Sequence, residues 1–289
     1  MPIHPRALAL GFLGTHFYNY QLILKEMKYS FDIIGSREKA VAVIKMNYEG
    51  NPEEIAEEIM RRHKNVKSVL LEESPREGDT RLRKLRLVKG SEDTEVVHIE
   101  YGIRIKLDPR FVYFSPREGE ERQRIASKVR PGEEVLVMFA GVGPYALAVA
   151  KRQPEAHVIG VEINEVAYKY FLENIRINKM EGRVEAVLGD VRDVCPRFFG
   201  MFDRVIMPLP LHAYHFLDIA IKCLKNLGGE LHFYYWGGED AFEKAEILVR
   251  EEAEKLGFSS TVLERRRVSS YSPRTWKVRV DFKLERKQH

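Results

Sequence analysis

The sequence predicts an α/β protein in which a small α+β domain precedes a larger domain built around a mainly parallel sheet. The chain has 289 residues, which is enough for one large or two modest domains. From residue 135 onward, short runs rich in Val and Ile alternate with helical stretches, a pattern typical of βαβ units. Before residue 115, strand patterns surround one helix pattern without this alternation.

The first domain is expected over residues 30–114, after an N-terminal segment, 1–29, whose aromatic side chains show no periodicity. Its helix follows Asn51, a residue suited to an N-cap, and places Pro52 at the first helical position, where an N–H would have no helical partner. Apolar and β-branched runs around this helix indicate strands. These runs are SFDIIG and AVAVIKM about a turn at Ser36–Lys39, residues 66–72, and a hairpin over 94–107 that turns at Tyr101-Gly102.

The second domain is expected over residues 115–289 and opens with the helical stretch REGEERQRIASKV. Five strand-like runs follow and alternate with four helical stretches, which indicates a parallel sheet. Two closing runs, SSTVLERRRV and WKVRVDFKL, are joined only by SSYSPRT, so we expect an antiparallel hairpin and seven strands in all. The five runs are 135–140, 157–163, 183–190, 203–209 and 229–236, and the helical stretches are 144–153, 164–178, 211–226 and 239–256.

Composition excludes several classes of protein. No run approaches the roughly 18 uncharged apolar residues of a membrane span, and the N-terminus lacks the cleavage pattern of a signal peptide, so a cytoplasmic protein is expected. Two cysteines, Cys195 and Cys223, are too few for a disulfide framework or a thiolate metal cage, and we expect inert small hydrophobes. No His, Cys or Asp cluster has metal-ligand spacing, so no metal is expected.

The net charge of +4 conceals an uneven distribution. Residues 1–130 carry 24 basic and 20 acidic side chains, residues 131–260 carry 14 and 20, and residues 261–289 carry 9 and 3. Two basic runs stand out, one from Arg76 to Lys89 and one at Arg265–Arg267. Each run can be an ordinary solvated face, or the two can flank a polyanion, because phosphate contacts dominate nucleic-acid affinity. Composition leaves both interpretations open.

A glycine-rich segment, FAGVGP at residues 139–144, follows the first strand of the second domain and opens a helix. Glycine lets the backbone pass close to a ligand, and a helix N-terminus presents unpaired N–H groups to a carboxylate. Glu162 ends the second strand, where a carboxylate can accept hydrogen bonds from both ribose hydroxyls. Asp190 ends the third strand, placed to accept a hydrogen bond from an adenine amino group. Together these features predict a nucleoside-type cofactor.

Five parallel βα units followed by an antiparallel hairpin resemble the class I S-adenosylmethionine-dependent methyltransferases. The blocks VYFSPREGEERQRIA, FAGVGPY, DRVIMPLP and SSYSPRTW, in this order, resemble the archaeal and eukaryal tRNA guanine-37 N1-methyltransferases. The resemblance implies a Rossmann-like catalytic domain behind an RNA-contacting domain, S-adenosylmethionine as cofactor, and tRNA as partner through the anticodon loop at position 37. We also expect a monomer. The implied cofactor-binding residues are Phe139, Gly141, Gly143, Pro144, Glu162, Ile163, Asp190, Val191 and Met207.

The resemblance also implies roles at the methylated base. Arg81 matches the family arginine that contacts guanine O6, and Glu121 matches the acid proposed to take the N1 proton. Guanine N1 keeps its proton at neutral pH, so a carboxylate acceptor and a positive charge on O6 both favour attack by N1. Further implied site residues are Tyr113, Arg122, Pro208 and Pro210.

Two positions depart from the family pattern. Pro208 stands where the family has an asparagine, and proline has neither an N–H nor a side-chain amide to orient a base. The replacement resembles an archaeal branch whose members also methylate the tricyclic wyosine precursor to isowyosine, so we expect a pocket that accepts guanine, the tricyclic base, or both. Val137 stands where many relatives have an acid, which leaves one fewer polar group for the methionine moiety.

Two alternative functions remain open. A wyosine-pathway aminocarboxypropyl transferase has the same fold and cofactor but transfers a different carbon chain, and it releases methylthioadenosine in place of S-adenosylhomocysteine. A catalytically silent RNA-binding homologue is the second alternative, and it need not bind S-adenosylmethionine. The complete FSPR-x-G-x-E-R pattern and the PLP segment favour methyl transfer.

Overall fold

The computed structural model describes residues 29–74, 83–209, 211–272 and 274–288. They form two compact units, one with the described residues up to Thr94 and one with those from Glu95 onward. Within the described ranges, no helix is long and apolar enough to cross a membrane.

The first unit is a four-stranded sheet with one helix packed on it. The bounds are β1 Phe31–Gly35, β2 Ala40–Ile44, α1 Pro52–Arg62, β3 Val66–Glu72 and β4 Leu85–Gly90. The strand order is β1-β2-β3-β4, with antiparallel outer pairs and a parallel central pair that α1 connects. As predicted, the Asn51 side chain caps α1, and it accepts a hydrogen bond from the Glu53 N–H at 2.9 Å.

Strand β4 belongs to the first basic run and was not predicted as a strand. Apolar and basic side chains alternate along much of LRLVKG, and a period of two residues is typical of a strand. Its basic side chains are paired within the unit, Arg86 with Glu73 at 2.5 Å and Lys89 with Glu57 at 2.5 Å. These contacts favour the solvated-face interpretation for this part of the run.

The second unit contains a hairpin, a seven-stranded sheet, and helices on both faces of that sheet. The bounds are β5 Val96–Glu100, β6 Ile103–Leu107, α2 Gly119–Ala126, β7 Glu134–Met138, α3 Pro144–Arg152, β8 His157–Glu162, α4 Glu165–Ile177, β9 Val184–Leu188, α5 Val191–Val194, β10 Arg204–Met207, α6 Leu217–Cys223, β11 Gly228–Gly237, α7 Ala241–Lys255, β12 Phe258–Ser272 and β13 Thr275–Arg286. Short 3-10 turns lie at Pro116–Glu118, Cys195–Phe198 and Ala213–Phe216.

The order of the large sheet is β12-β13-β11-β10-β7-β8-β9. Neighbours from β11 to β9 are parallel, whereas β13 is antiparallel to both β11 and β12, so the predicted seven strands and closing hairpin are confirmed. The chain moves from β7 through β8 to β9 and then returns to the other side of β7 with β10. Open α/β sheets bind ligands at the carboxyl ends of the strands where the order reverses in this way.

Helices α5, α6 and α7 pack on one face of the sheet and enclose its main apolar core. Alternate residues of each strand, such as Leu136, Val205 and Phe233, point into this core. Cys195 and Cys223 are both buried there as free thiols. Burial among apolar side chains is the environment expected for cysteines that act as small hydrophobes.

The β5–β6 hairpin packs against helices of the second unit. Asn174 on α4 and Asn178, the C-cap of α4, complete the hydrogen bonds of strand β6. Asn174 accepts from the Lys106 N–H at 2.7 Å and donates to the Lys106 carbonyl at 3.0 Å. Asn178 accepts from the Arg104 N–H at 2.9 Å and donates to its carbonyl at 2.7 Å. We predicted this hairpin in the first domain, whereas the compact units divide after Thr94; the functional boundary at 114/115 stays a prediction.

Candidate active site

The glycine-rich segment forms the turn from β7 into α3, as the sequence predicts. Phe139 has φ of +57° and Gly141 has φ of +59°. A non-glycine residue in the left-handed region is held there against a cost of about 1–3 kcal/mol, and such strain is common at ligand sites. The buried Asn174 amide donates to the Val142 carbonyl at 3.0 Å, so this hydrogen bond ties the turn to α4.

Gly143 is required by packing as well as by backbone conformation. Its φ is +88°, and a Cβ at this position would lie 2.1 Å from the ring of Phe171 on α4. A Cβ on Gly160 would meet the same ring at 2.5 Å. Phe171 therefore fills the space beneath the turn, and no pattern in the sequence links this phenylalanine to the two glycines. Pro144 follows as the first residue of α3.

Glu162 connects the end of β8 to the turn. Its Oε2 atom accepts a hydrogen bond from the Gly141 N–H and its Oε1 atom accepts one from the Asn164 N–H, both at 2.7 Å. The side chain is buried. Each carboxylate oxygen has a second lone pair, so the predicted role as an acceptor for ribose hydroxyls is compatible with these contacts and stays a prediction.

A pocket lies beside this turn at the carboxyl ends of β8, β9 and β10. Four of the predicted cofactor-binding residues line it, whereas Met207 is wholly buried and its side chain belongs to the apolar core. The sequence did not predict Gly189 and Arg192 after β9, or Leu209, Leu211 and His212 after β10, although the same strand-end rule applies to them. The lining is Phe139, Val161, Ile163, Gly189, Asp190, Val191, Arg192, Leu209, Leu211, His212 and Phe216.

Asp190 lies at the rim of this pocket and caps α5. Its side chain accepts a hydrogen bond from the Arg192 N–H at 2.8 Å and forms a two-point contact with the Arg192 guanidinium. The side-chain hydrogen bond from Arg192 lowers the pKa of Asp190 although partial burial opposes it. Arg192 also lies 5.8 Å from the ring centre of Phe216, so it forms part of the pocket wall. Asp190 is thus an ionised acceptor at the position predicted for adenine.

Glu121 lies on α2 with only 3% of its side chain exposed. Its Oε1 atom accepts hydrogen bonds from the Tyr234 hydroxyl at 2.8 Å and from Arg279 Nη1 at 2.5 Å. Its Oε2 atom lies 3.6 Å from Arg266 Nε and 3.8 Å from Arg124 Nη1, and it accepts no hydrogen bond from any described residue. Oε2 is therefore a buried acceptor without a hydrogen bond from the described residues, and three arginine side chains surround the carboxylate.

Arg122, the next residue along α2, makes different contacts. Its guanidinium binds Glu100 on β5 at two points, 2.7 Å and 2.5 Å, and lies over the ring of Phe114. Burial raises the pKa of Glu100, but hydrogen bonds from His98 and Arg122 outweigh burial and lower it. Arg122 therefore joins α2 to the hairpin, and its predicted place in catalysis stays a prediction.

The remaining predicted site residues lie in different places. Tyr113 is half-buried, and its carbonyl oxygen lies 4.0 Å from the position that a Cβ on Gly141 would take. Pro208 is buried directly after β10. Arg81 and Pro210 lie outside the described residues, so their contacts with the base stay predictions. In the part of the chain that the structure describes, no group of three or more His, Cys, Asp or Glu side chains is arranged to hold a metal ion.

The three arginines of the second basic run make three different contacts. Arg265 pairs with Glu246 on α7 at 2.9 Å, and the Arg267 guanidinium lies 4.3 Å from the ring centre of Trp276. Arg266 points to the other face of β12, where it approaches the carboxylate of α2 described above. Alternation along the strand therefore divides this run between two faces of the sheet.

The pocket and the adjoining turn fit a nucleoside sulfonium cofactor such as S-adenosylmethionine. Phe139, Ile163 and Val191 form apolar walls that suit a flat purine ring. Asp190 and Glu162 carry carboxylate oxygens, the kind of acceptor that an exocyclic amine and ribose hydroxyls need. The sequence pointed to these two acids through their places at strand ends, and the family resemblance added the apolar residues. Neither pointed to the residues around Glu121, which come from strands far along the chain.

Comparison with known proteins identifies the family. Residues 96–262 match the TRM5/TYW2 methyltransferase domain. The chain belongs to this family. It is 41% identical over 258 residues to the tRNA (guanine(37)-N(1))-methyltransferase Trm5b of Pyrococcus abyssi, across 88% of this chain and 74% of that protein. It is also 35% identical over 230 residues to the tRNA(Phe) (4-demethylwyosine(37)-C(7)) aminocarboxypropyltransferase of Methanocaldococcus jannaschii, across 79% and 90%.

The TRM5/TYW2 family also accounts for the fold. The crystal structure of Methanocaldococcus jannaschii TYW2 in complex with AdoMet matches with a TM-score of 0.69 at 29% identity, and covers 89% of this chain and 100% of that one. The predicted family, the methyltransferase fold, the methyltransferase class and the cofactor S-adenosylmethionine are therefore confirmed.

Proposed function

We propose that this TRM5/TYW2-family protein transfers a methyl group from S-adenosylmethionine to N1 of guanosine 37 in tRNA, and that the tricyclic wyosine precursor at that position is a second acceptor. Both substrates occur in the names of relatives, guanine 37 in that of Trm5b and 4-demethylwyosine 37 in that of the aminocarboxypropyltransferase. The observation that carries the proposal is the buried carboxylate of Glu121, in which Oε1 accepts two hydrogen bonds and the equally buried Oε2 accepts none from the described residues.

Glu121 accepts the proton that N1 must lose. A positioned carboxylate that takes this proton contributes about 10²–10⁴-fold to the rate. When bound, S-adenosylmethionine supplies the electrophilic methyl carbon that N1 takes. Arg81 stabilises the negative charge that develops on O6 as the proton leaves. Glu162 binds the ribose of the cofactor and Asp190 binds its adenine. Phe139, Ile163 and Val191 exclude water from that adenine.

The partner in this proposal is tRNA. The active site binds the anticodon loop at position 37, and the domain at residues 30–114 makes further contacts with the tRNA. The protein acts as a cytoplasmic monomer. Pro208 replaces an asparagine side chain beside the base, so the pocket has room for the third ring of the wyosine precursor. Val137 leaves the methionine end of the cofactor with one fewer polar contact, so binding depends more on Glu162 and Asp190.

A product assay on two defined tRNA(Phe) substrates tests this function. One carries guanosine at position 37 and the other carries the tricyclic precursor. We expect 1-methylguanosine and isowyosine by nucleoside mass spectrometry, with S-adenosylhomocysteine as the second product. Methyl transfer to neither base would contradict the proposal. Glu121→Gln keeps an acceptor oxygen for Tyr234 and Arg279 but cannot take the proton, so its single-turnover rate should fall by about 10²-fold or more with cofactor affinity unchanged.

An aminocarboxypropyl transferase is the second candidate. The chain spans 90% of the length of a relative with that activity, but 74% of the length of Trm5b. The same assay separates the two, because aminocarboxypropyl transfer releases methylthioadenosine and adds a larger mass to the base. Calorimetry with S-adenosylmethionine separates both from a silent RNA-binding homologue, which has no need to bind it.

A further inference from the structure

A chain of hydrogen bonds leads from the cofactor turn to Glu121. Tyr145 is the second residue of α3, directly after the turn, and its hydroxyl donates to the Tyr234 hydroxyl at 3.2 Å. Tyr234 donates in turn to Glu121 Oε1 at 2.8 Å. Both tyrosines are buried, and burial raises the pKa of each well above its ordinary value, so both remain donors. The carboxylate at the end sets the direction of the chain, since a phenol has one proton to donate.

Arg279 occupies the second site on the same oxygen. Its Nη1 atom donates to Glu121 Oε1 at 2.5 Å, while Nε lies 2.8 Å from Asp281 and Nη2 lies 2.9 Å from Glu264. Burial lowers the pKa of Arg279, but the charges of Asp281 and Glu121 outweigh burial and raise it, so the guanidinium stays charged. Because three carboxylates share this one cation, Arg279 orients Glu121 without neutralising it.

We propose that Tyr234 and Arg279 are positioning residues, which occupy Oε1 of Glu121 and leave Oε2 as the oxygen that takes the proton of N1. Two donors fill the two lone pairs of Oε1, and Oε2 accepts no hydrogen bond from the described residues. Tyr145 ties this arrangement to the cofactor turn. The inference rests on the proposed function, because it assigns an oxygen to the proposed proton acceptor. In the step, the N1–H bond breaks, its electron pair stays on N1, and an O–H bond forms at Oε2.

The arrangement has a consequence for the rate of the reaction. Without the Tyr234 hydroxyl, one lone pair of Oε1 lacks a donor, so Oε1 competes with Oε2 for the proton and Arg279 alone holds the carboxylate. The rate of the chemical step should therefore fall, whereas the affinity for the cofactor should stay unchanged. Arg266 and Arg124, which face Oε2, and Asp281 and Glu264, which face Arg279, are unchanged in this variant.

Tyr234→Phe tests the inference, with Tyr235→Phe as the matched control. The two tyrosines are neighbours on β11, but Tyr235 packs against the apolar core on the opposite face. Single-turnover methylation of guanosine-37 tRNA is measured at saturating cofactor, cofactor affinity is measured by calorimetry, and Tm by scanning calorimetry. For Tyr234→Phe we expect about a tenfold lower rate, the effect of one hydrogen bond to a charged group, with cofactor affinity unchanged. Tyr235→Phe keeps the rate of the unmodified protein.

Two further variants keep the inference open to refutation if Tyr234→Phe is unstable. Tyr145→Phe leaves the Tyr234–Glu121 bond intact, so it should weaken cofactor binding without lowering the rate at saturating cofactor. Arg279→Lys keeps the positive charge but not the guanidinium geometry, so it should lower the rate. A Tyr234→Phe rate equal to that of Tyr235→Phe, or a fully active Arg279→Lys, overturns the inference while the proposed function stands. An unmodified protein that methylates neither base overturns the proposed function itself.

Discussion

At β11 and β13, the two faces of the seven-stranded sheet contain opposite kinds of interior, although alternating residues of the same strands build both. Under α7, Phe233 of β11 and Phe282 of β13 join the apolar core. On the other face, Tyr234 of β11 and Arg279 and Asp281 of β13 are equally buried. The alternation is the ordinary one of a β-strand, but here the second face is charged instead of solvated.

The charged face is one connected network. Arginine can only donate, so Arg204 Nη1 donates to His232 Nε2 at 2.7 Å, and His232 donates its Nδ1 proton to Asp281 at 2.7 Å. Arg204 also pairs with Glu133 and Glu230. Buried ion pairs add little net stability compared with apolar packing, yet removal of one partner is costly. The apolar face therefore stabilises this unit, whereas the charged face holds its buried polar side chains in fixed orientations.

The largest expected effect is on the apolar face. Phe282 is almost wholly buried, so Phe282→Ala should lower the free energy of unfolding by about 3–5 kcal/mol, as measured in urea. Phe282→Leu is the control and should lose much less. Cofactor affinity, measured well below the melting temperature, should be unchanged in both. A loss in Phe282→Ala no greater than in Phe282→Leu would contradict the assignment of stability to this face.

The next effect tests the charged face through pH. Burial raises the pKa of Asp281, but His232, Arg279 and Lys128 outweigh it and lower the pKa to about 2 from 3.8. A depressed carboxyl pKa stabilises the folded state above pH 3.8, and this contribution disappears as the pH falls towards 2. The shift corresponds to roughly 2 kcal/mol at neutral pH.

Asp281→Asn should therefore be less stable than the unmodified protein at pH 7, and the difference should shrink as the pH falls from about 5 towards 2. Urea unfolding at several pH values measures it. A difference that does not change with pH would show that the substitution acts through packing and not through the charge of Asp281.

Buried polar groups near the cofactor turn provide the third test. Asn174 and Asn178 make the same pair of contacts with β6, but only Asn174 also holds the Val142 carbonyl of the turn. Both Asn174→Ala and Asn178→Ala should lose about 1–3 kcal/mol of stability, because backbone groups lose their partners. Calorimetry should show weaker cofactor binding in Asn174→Ala alone. Equal affinities in the two variants would contradict the role of Asn174 in fixing the turn.

The smallest effect separates the arginines of β12. Arg265→Ala and Arg267→Ala should weaken tRNA binding a few-fold, and more at low salt than at high salt, because phosphate contacts release counterions. Arg266→Ala, on the charged face, should lower the single-turnover rate and leave tRNA binding almost unchanged. Fluorescence anisotropy at about 50 and 200 mM salt measures the affinities. An equal loss at both salt concentrations would argue against phosphate contacts.

The order of elements and the ends of the strands were readable from the chain alone. Hydrophobic periodicity distinguished the βα units from the closing hairpin. The ends of the strands then predicted that Glu162 and Asp190 lie beside the turn at Gly141. These features depend on residues close together in sequence, or on the common edge at which parallel strands end. Strand β4 was not predicted, because its basic side chains drew attention to charge and away from the alternation of its apolar residues.

Only the tertiary structure decided what surrounds Glu121. Tyr234 and Arg279 are separated from it by 113 and 158 positions, and Phe171 beneath Gly143 carries no motif. A periodic pattern shows which face of a strand a side chain occupies, but not which element covers that face. A strand whose second face is buried under charged partners has the same alternation as one whose second face meets water. The packing of α2 on β11 and β13 makes that difference, and it turns an ordinary acid on a helix into the candidate proton acceptor.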